Sequence, residues 1–182
     1  MKYIWIVIVA AVVGFLGNSV YLEMNKEKGS AKSTRIACQK LSVTFERVSQ
    51  ATKIIDIQNA IKANAMHVNL EVEKAQYMES QMFNYVNPSS VKQTVLNTLK
   101  TYQKDDAKSS KEVVLDVLIY ENDKGDPGKK TKKSKLYAGY LIFKFKVQKA
   151  LVYQVQIDFM DLKGADITSK VNCAIESVMT LK

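Results

Sequence analysis

The sequence predicts an α+β protein in which an N-terminal transmembrane helix is followed by helices packed on a curved antiparallel sheet. Three observations carry that expectation. An apolar run opens the chain, from Tyr3 to Leu16 and on through Val20, Tyr21 and Leu22. A helical spacing of apolar residues gives way at Met66 to a strict two-residue alternation. Nearer the C-terminus, alternating runs over 136–148 and 151–159 flank a tight connection at Lys149, the pattern of an antiparallel hairpin.

No Asp, Glu, Lys or Arg falls between Tyr3 and Leu22. At about 1.5 Å per helical residue that stretch reaches roughly 30 Å, the thickness of a bilayer's hydrocarbon core. Tyr3, Trp5 and Tyr21 stand where aromatic rings favour the headgroup level and are the expected membrane-interface residues. A secretory signal peptide is the rival reading, with Met1-Lys2 as leader and Gly17-Asn18-Ser19 as the cut. The anchor is preferred because apolar character resumes at Val20 and Gly-Asn-Ser matches an A-x-A-like site poorly. Lys26, Lys28, Lys32 and Arg35 beyond the run oppose export on a strict count of positive charge, but long domains translocate largely regardless of charge. The expected localisation is therefore a single-pass protein of the cell membrane with its C-terminal domain outside the cytoplasm. Residues 1–24 form the anchor, 25–56 a linker and juxtamembrane helix, and 57–182 the exported α+β domain.

The linker reads NKEKGSAKST. Thr34, Cys38, Leu41, Phe45, Val48, Thr52 and Ile55 then recur at steps of four and three, the spacing of a coiled-coil seam. Either the helix lies on its own domain or it pairs between subunits, with Cys38, Leu41, Phe45 and Val48 as candidate self-association residues. Ile54, Ile57 and Ile61 extend the helical region to about Ala63. Met66, Val68, Leu70 and Val72 alternate with His67, Asn69, Glu71 and Glu73, predicting a half-buried strand with an acidic face. Asn87-Pro88 predicts a helix start, with Val91, Val95, Leu99 and Tyr102 as its buried stripe. Both faces of 113–120 are largely apolar, as in a strand that is central or covered on both sides. In the hairpin, Leu141, Phe143, Phe145 and Val147 face inward opposite Leu151, Tyr153, Val155, Ile157 and Phe159. Odd-numbered apolar residues from Ile167 to Met179 predict a closing strand, although Val171, Ile175 and Val178 also fit a helix.

The formal net charge of +9 and pI near 9.4 favour anionic surfaces without choosing among them. Cys38 and Cys173 are too few for a disulfide framework, lack metal-ligand spacing and read as unpaired. His67 is the single histidine, and no nucleophile elbow, zinc helix, phosphate loop or dinucleotide fingerprint occurs. The sequence therefore predicts no catalytic residue, no cofactor and no metal. Lys129, Lys130, Lys132, Lys133 and Lys135 form the one dense cationic run, a candidate contact for an anionic surface. Without interleaved aromatics or arginines it lacks the means of sequence-specific nucleic-acid binding.

The order of elements, carried by YIWIVIVAAVVGFL, MHVNLEVE, NPSSVKQTVLNTL, VVLDVLIY, LYAGYLIFKFKV and LVYQVQIDF, resembles the bitopic scaffold subunits of type IV secretion systems. The resemblance spans nearly the whole chain as architecture and shares no signature residue. It implies a cone-like exported domain of the nuclear-transport-factor-two-like kind and a non-catalytic assembly role in a conjugative DNA-transfer channel. The partners it implies are the membrane, other channel subunits and a second copy of the chain. The cone fold also hosts ligand binders and enzymes, the alternative reading. A cavity filled by Phe143, Phe145, Tyr153 and Phe159 would favour scaffolding, and convergent polar groups in a deep cavity an enzyme.

Overall fold

Alternation with period two builds the centre of the molecule. Strands β4 (Val113–Glu121) and β5 (Gly139–Val147) bury every second residue, and β6 (Ala150–Phe159) does so from Tyr153 to Ile157. The computed structural model describes residues 31–129 and 131–182. Before these strands come β1 (Ala31–Lys32), α1 (Ala37–Lys40), β2 (Thr44–Val48), α2 (Ile54–Lys62), β3 (Met66–Glu73) and α3 (Pro88–Lys100); α4 (Ile167–Met179) follows them. The strands form one sheet in the order β1-β2-β6-β5-β4-β3. Its pairs are antiparallel except β3 with β4, which run parallel on either side of α3.

The fold is α+β, and the expected class is corrected on two counts. The sheet is mixed rather than antiparallel, because the β3–α3–β4 connection returns the chain in the same direction. Among the described residues no helix is long and apolar enough to cross a membrane, so the transmembrane helix and the single-pass membrane localisation are set aside. The stretch read as an anchor, with Tyr3, Trp5 and Tyr21, lies outside the described residues.

Helices α2, α3 and α4 pack on one face of the sheet. Ile57 and Ile61 of α2, Val91 and Val95 of α3, and Val171, Ile175 and Val178 of α4 join Leu115, Val117, Phe143, Phe145, Val155 and Ile157 in a single core. Burying each such side chain contributes about 1.5–3 kcal/mol, which is what holds the helices down. Helix α3 starts as its sequence predicts: the Asn87 side chain accepts from the backbone N–H groups of Ser89 and Ser90, and Pro88 occupies the first turn. The 167–179 stretch is a helix rather than a closing strand. Its buried residues Ile167, Val171, Ala174, Ile175 and Val178 follow the three-and-four spacing and lie on the core side.

The expected juxtamembrane helix is also corrected. Residues 44–48 are strand β2, paired antiparallel with β6. Neighbours there point to opposite faces, so Phe45, opposite Gln156, and Val48, opposite Tyr153, share no seam. Leu41 follows α1 and is 83% exposed. Cys38 is bonded to Cys173, which ties α1 to α4 across 135 residues of sequence. Arg35 reinforces the tie, donating to Glu46, to the Ser177 carbonyl and to Thr180. Burial works against the Glu46 charge, yet hydrogen bonds from Arg35, Ser33 and Tyr153 outweigh it and lower the pKa. In β6 a bulge after Tyr153's pairing with Phe145 inserts Val152, whose carbonyl accepts from the N–H groups of Ser49 and Gln50. The bulge turns Leu151 away from the expected inward set and opposite Lys146.

Loss of the disulfide is expected to lower stability by about 3–5 kcal/mol, because it releases a loop covering most of the domain. Urea unfolding of Cys38→Ser/Cys173→Ser beside the oxidised protein measures it. An unchanged midpoint would mean that the bridge constrains nothing. No disulfide-linked dimer should form through Cys38, since both sulfurs are committed within one chain.

Candidate functional site

Three consecutive polar residues, the last of β4 and the two after it, are all buried: Glu121, Asn122 and Asp123. Each holds a different piece of backbone. Glu121 accepts from the N–H groups of Gln81 and Met82 through Oε1 and of Ala75 through Oε2. Asp123 accepts at 2.6 Å from both Gln76 and Tyr77 and at 3.1 Å from Gly125. Asn122 donates to the carbonyls of Ser134 and Tyr137 and accepts from the Tyr140 hydroxyl and the Lys129 ammonium. Burial alone would raise the carboxyl pKa values, but the backbone donors outweigh it, so Glu121 and Asp123 both lie below the ordinary range. Their contribution to stability is present above the unfolded carboxyl pKa and is lost as pH falls through the lower folded values.

This clasp positions the loop that carries the lysine run. Lys129 sits 5.7 Å from the ring centroids of both Tyr120 and Tyr140, a cation within reach of two neighbouring aromatic rings. Lys132, Lys133 and Lys135 are exposed around a 3₁₀ turn, Lys133–Lys135, and Lys130 lies outside the described residues. The lysine run therefore divides: Lys129 is committed to the fold, whereas the exposed three face solvent.

Below the loop, the sheet surface opposite the helices holds the candidate site. Asp158 of β6 is only 5% exposed and has one donor among the described residues, Gln156 Nε2 at 3.0 Å. Burial pushes its pKa up to about 6, with the Gln156 hydrogen bond pulling weakly the other way. A depression of about 320 Å³ opens over it, lined by Lys32, Phe45, Lys133, Ser134 and Tyr137 among others. A second, of about 270 Å³, lies on its other side near Lys40, Leu41 and Lys170. Gly139 is required at this end of the sheet: a Cβ there would overlap the Tyr120 carbonyl and the Phe159 ring. A third depression, of about 190 Å³, lies between the N-terminal ends of α3 and α4 and is lined by Tyr85, Asn87, Lys163 and Ile167. It contains no buried ionisable group, and the Asp158 site is the stronger candidate on that ground.

Sequence reasoning missed Asp158, Asn122 and Tyr137. The alternation placed Asp158 on the polar side of its strand, and nothing local signals that the 123–138 loop would fold over it. Among the described residues no group of three or more His, Cys, Asp or Glu is placed to hold a metal ion. His67 is exposed on β3.

No protein-family model matches this chain, and no curated protein matches it significantly. Solved structures similar to it include two of PelC dodecamers from Paraburkholderia phytofirmans. A variant of that protein is 15% identical, with 75% of this chain and 93% of that chain covered at a TM-score of 0.35. A second crystal form is 14% identical, with 75% and 95% covered at a TM-score of 0.34. A likeness this distant carries no argument about fold or function.

An ionised Asp158 is unfavourable in its buried setting, and the sign of the effect is opposite to that at Glu121. Its stabilising contribution is fully present below the unfolded value of 3.8 and is lost as pH rises through about 6. Asp158→Asn should therefore stabilise the protein at about pH 7.5, by on the order of 2–3 kcal/mol, and leave it nearly unchanged below about pH 4. Urea midpoints across that range are the measurement; a benefit independent of pH would dissociate it from ionisation.

Proposed function

We propose that this chain is a non-catalytic docking component of a larger assembly, engaging an acidic protein surface through the sheet face that its own helices leave open. The observation that carries the reading is the filled space between sheet and helices. Phe143, Phe145, Tyr153 and Phe159 are all fully buried there, where an enzyme of cone-like design would need a cavity.

Across the sheet from that core, none of the described helices α2, α3 and α4 packs on the row formed by Phe45, Gln156, Ile142 and Leu118, and the 131–137 loop walls only its Phe45 end. The adjacent row contains Arg47, Gln154, Lys144 and Asp116, and Lys146 pairs with Asp116 at 2.6 Å. Cations thus outnumber carboxylates on the β2, β6 and β5 side, and the exposed lysines of the loop extend the positive field beyond the strand ends. Apolar side chains ringed by cations suit an acidic partner with a few apolar anchors. The resemblance to secretion scaffold subunits makes a conjugative DNA-transfer channel the assembly in which to seek that partner.

A second reading rests on Asp158: a small ligand bound in the adjoining depression, with the carboxylate as its polar anchor. Co-purification from cells expressing the channel subunits separates the two. Arg47→Glu/Lys144→Glu is expected to reduce recovery of the partner at least about tenfold, equivalent to roughly 1.4 kcal/mol, while Asp158→Asn leaves it unchanged. Recovery lost in Asp158→Asn and retained in the charge reversal would favour the ligand site. Recovery unaffected by either would remove the open face from the proposal.

A further inference from the structure

Strand β3 is the last strand of the sheet, and its outer edge pairs with nothing among the described residues. Eight residues long, it presents a row of backbone donors and acceptors of the kind that another strand completes. Proteins usually block such an edge with charged side chains, short strands, bulges or proline, and of these β3 has only the charges of Glu71 and Glu73. Here there is no proline or bulge, and the side chains themselves determine which strand could add. On the core side Leu70 is half-buried and Val72 is 41% exposed, so apolar surface continues to the edge and stops. On the open side lie His67, Asn69, Glu71 and Glu73, all exposed.

We infer that β3 is a self-association surface, pairing antiparallel with β3 of a second copy about a two-fold axis through Asn69. Side-chain parity allows only registers that keep core-side residues opposite core-side residues. In the register centred on Asn69, His67 stands opposite the partner copy's Glu71, and the same pair recurs by symmetry. Val68 then meets Leu70, and Met66 meets Val72, which covers the exposed Val72. The glutamates of the two copies stay off neighbouring rungs. A shift of two residues toward the C-terminus would bring Glu71 diagonally against its symmetry mate, and a further such shift would place it directly opposite. An arbitrary acidic or apolar strand would leave Glu71 without its donor, so the edge discriminates in favour of its own sequence. The interface is isologous, and the sheet would continue from one protomer into the next.

Because Cys38 and Cys173 are already bonded to each other, an introduced thiol is the only free one among the described residues. Mild oxidation of the full chain should therefore crosslink Asn69→Cys into a dimer, whereas His67→Cys and Glu71→Cys, each displaced from the axis, crosslink poorly alone and well when mixed. Sedimentation should show His67→Glu weakening self-association about tenfold or more, since each dimer contains the pair twice, and His67→Glu/Glu71→Lys restoring it. All three positions are exposed, so these variants retain the fold. Equal crosslinking at every position, none at Asn69→Cys, or a monomer at all concentrations would each overturn the inference. Loss of the acidic partner in the co-purification above leaves it untouched.

Discussion

The carboxylate of Glu121 is the junction on which the loops depend. A buried charge is tolerable only when its lone pairs are filled, and here backbone N–H groups from Ala75, Gln81 and Met82 fill them. Removing it would leave those donors unpaired in the interior and free the segment between β3 and α3. Asn122 and Asp123 extend the same logic to the following loop, so one strand end fixes two connections that have little secondary structure of their own. The lysine run, the Tyr137 ring and the walls of the Asp158 depression all take their places from this clasp.

Carboxylates of two kinds, buried or half-buried, coexist within a few strands. Glu121, Asp123, Glu46 and Asp116 are surrounded by donors and lie below their ordinary pKa values. Asp158 has a single amide donor among the described residues and lies above its own. The first four serve the fold. Asp158 opposes it at neutral pH, and a residue that opposes folding while lining a depression is where binding is to be sought.

Much of the sheet was legible because its strands alternate without interruption. The core faces of β4 and β5, the hairpin between β5 and β6, and the Asn87-Pro88 helix start all follow from local pattern. Other features depend on what the pattern touches. Residues 34–55 satisfy a heptad spacing by coincidence: β2 contributes only five residues, and Thr44, Glu46 and Val48 face the core while Phe45 does not. Residues 167–179 satisfy both periods, and the core beneath α4 decides for the helix. The largely apolar faces of β4 suggested a strand that is central or covered on both sides; β4 is interior, between β5 and β3, and Val114 and Leu118 lie on the open face. The disulfide joins residues too far apart for any local signal, and the Asp158 site depends on a loop whose fold only the Asn122 clasp dictates.

The partnership of β2 with β6 has a consequence for how the protein is made. A ribosome releases β2 more than a hundred residues before β6 emerges, and until then its one strand neighbour among the described residues is the two-residue β1. The hairpin of β5 and β6 forms from adjacent sequence, while β2 must wait for it and then close a loop spanning most of the domain. Nascent chains therefore carry an orphan strand, with Phe45 and Val48 on its two faces, through nearly the whole of translation. Holding that strand apart from its neighbours on a crowded polysome becomes a task for chaperones rather than for the native fold.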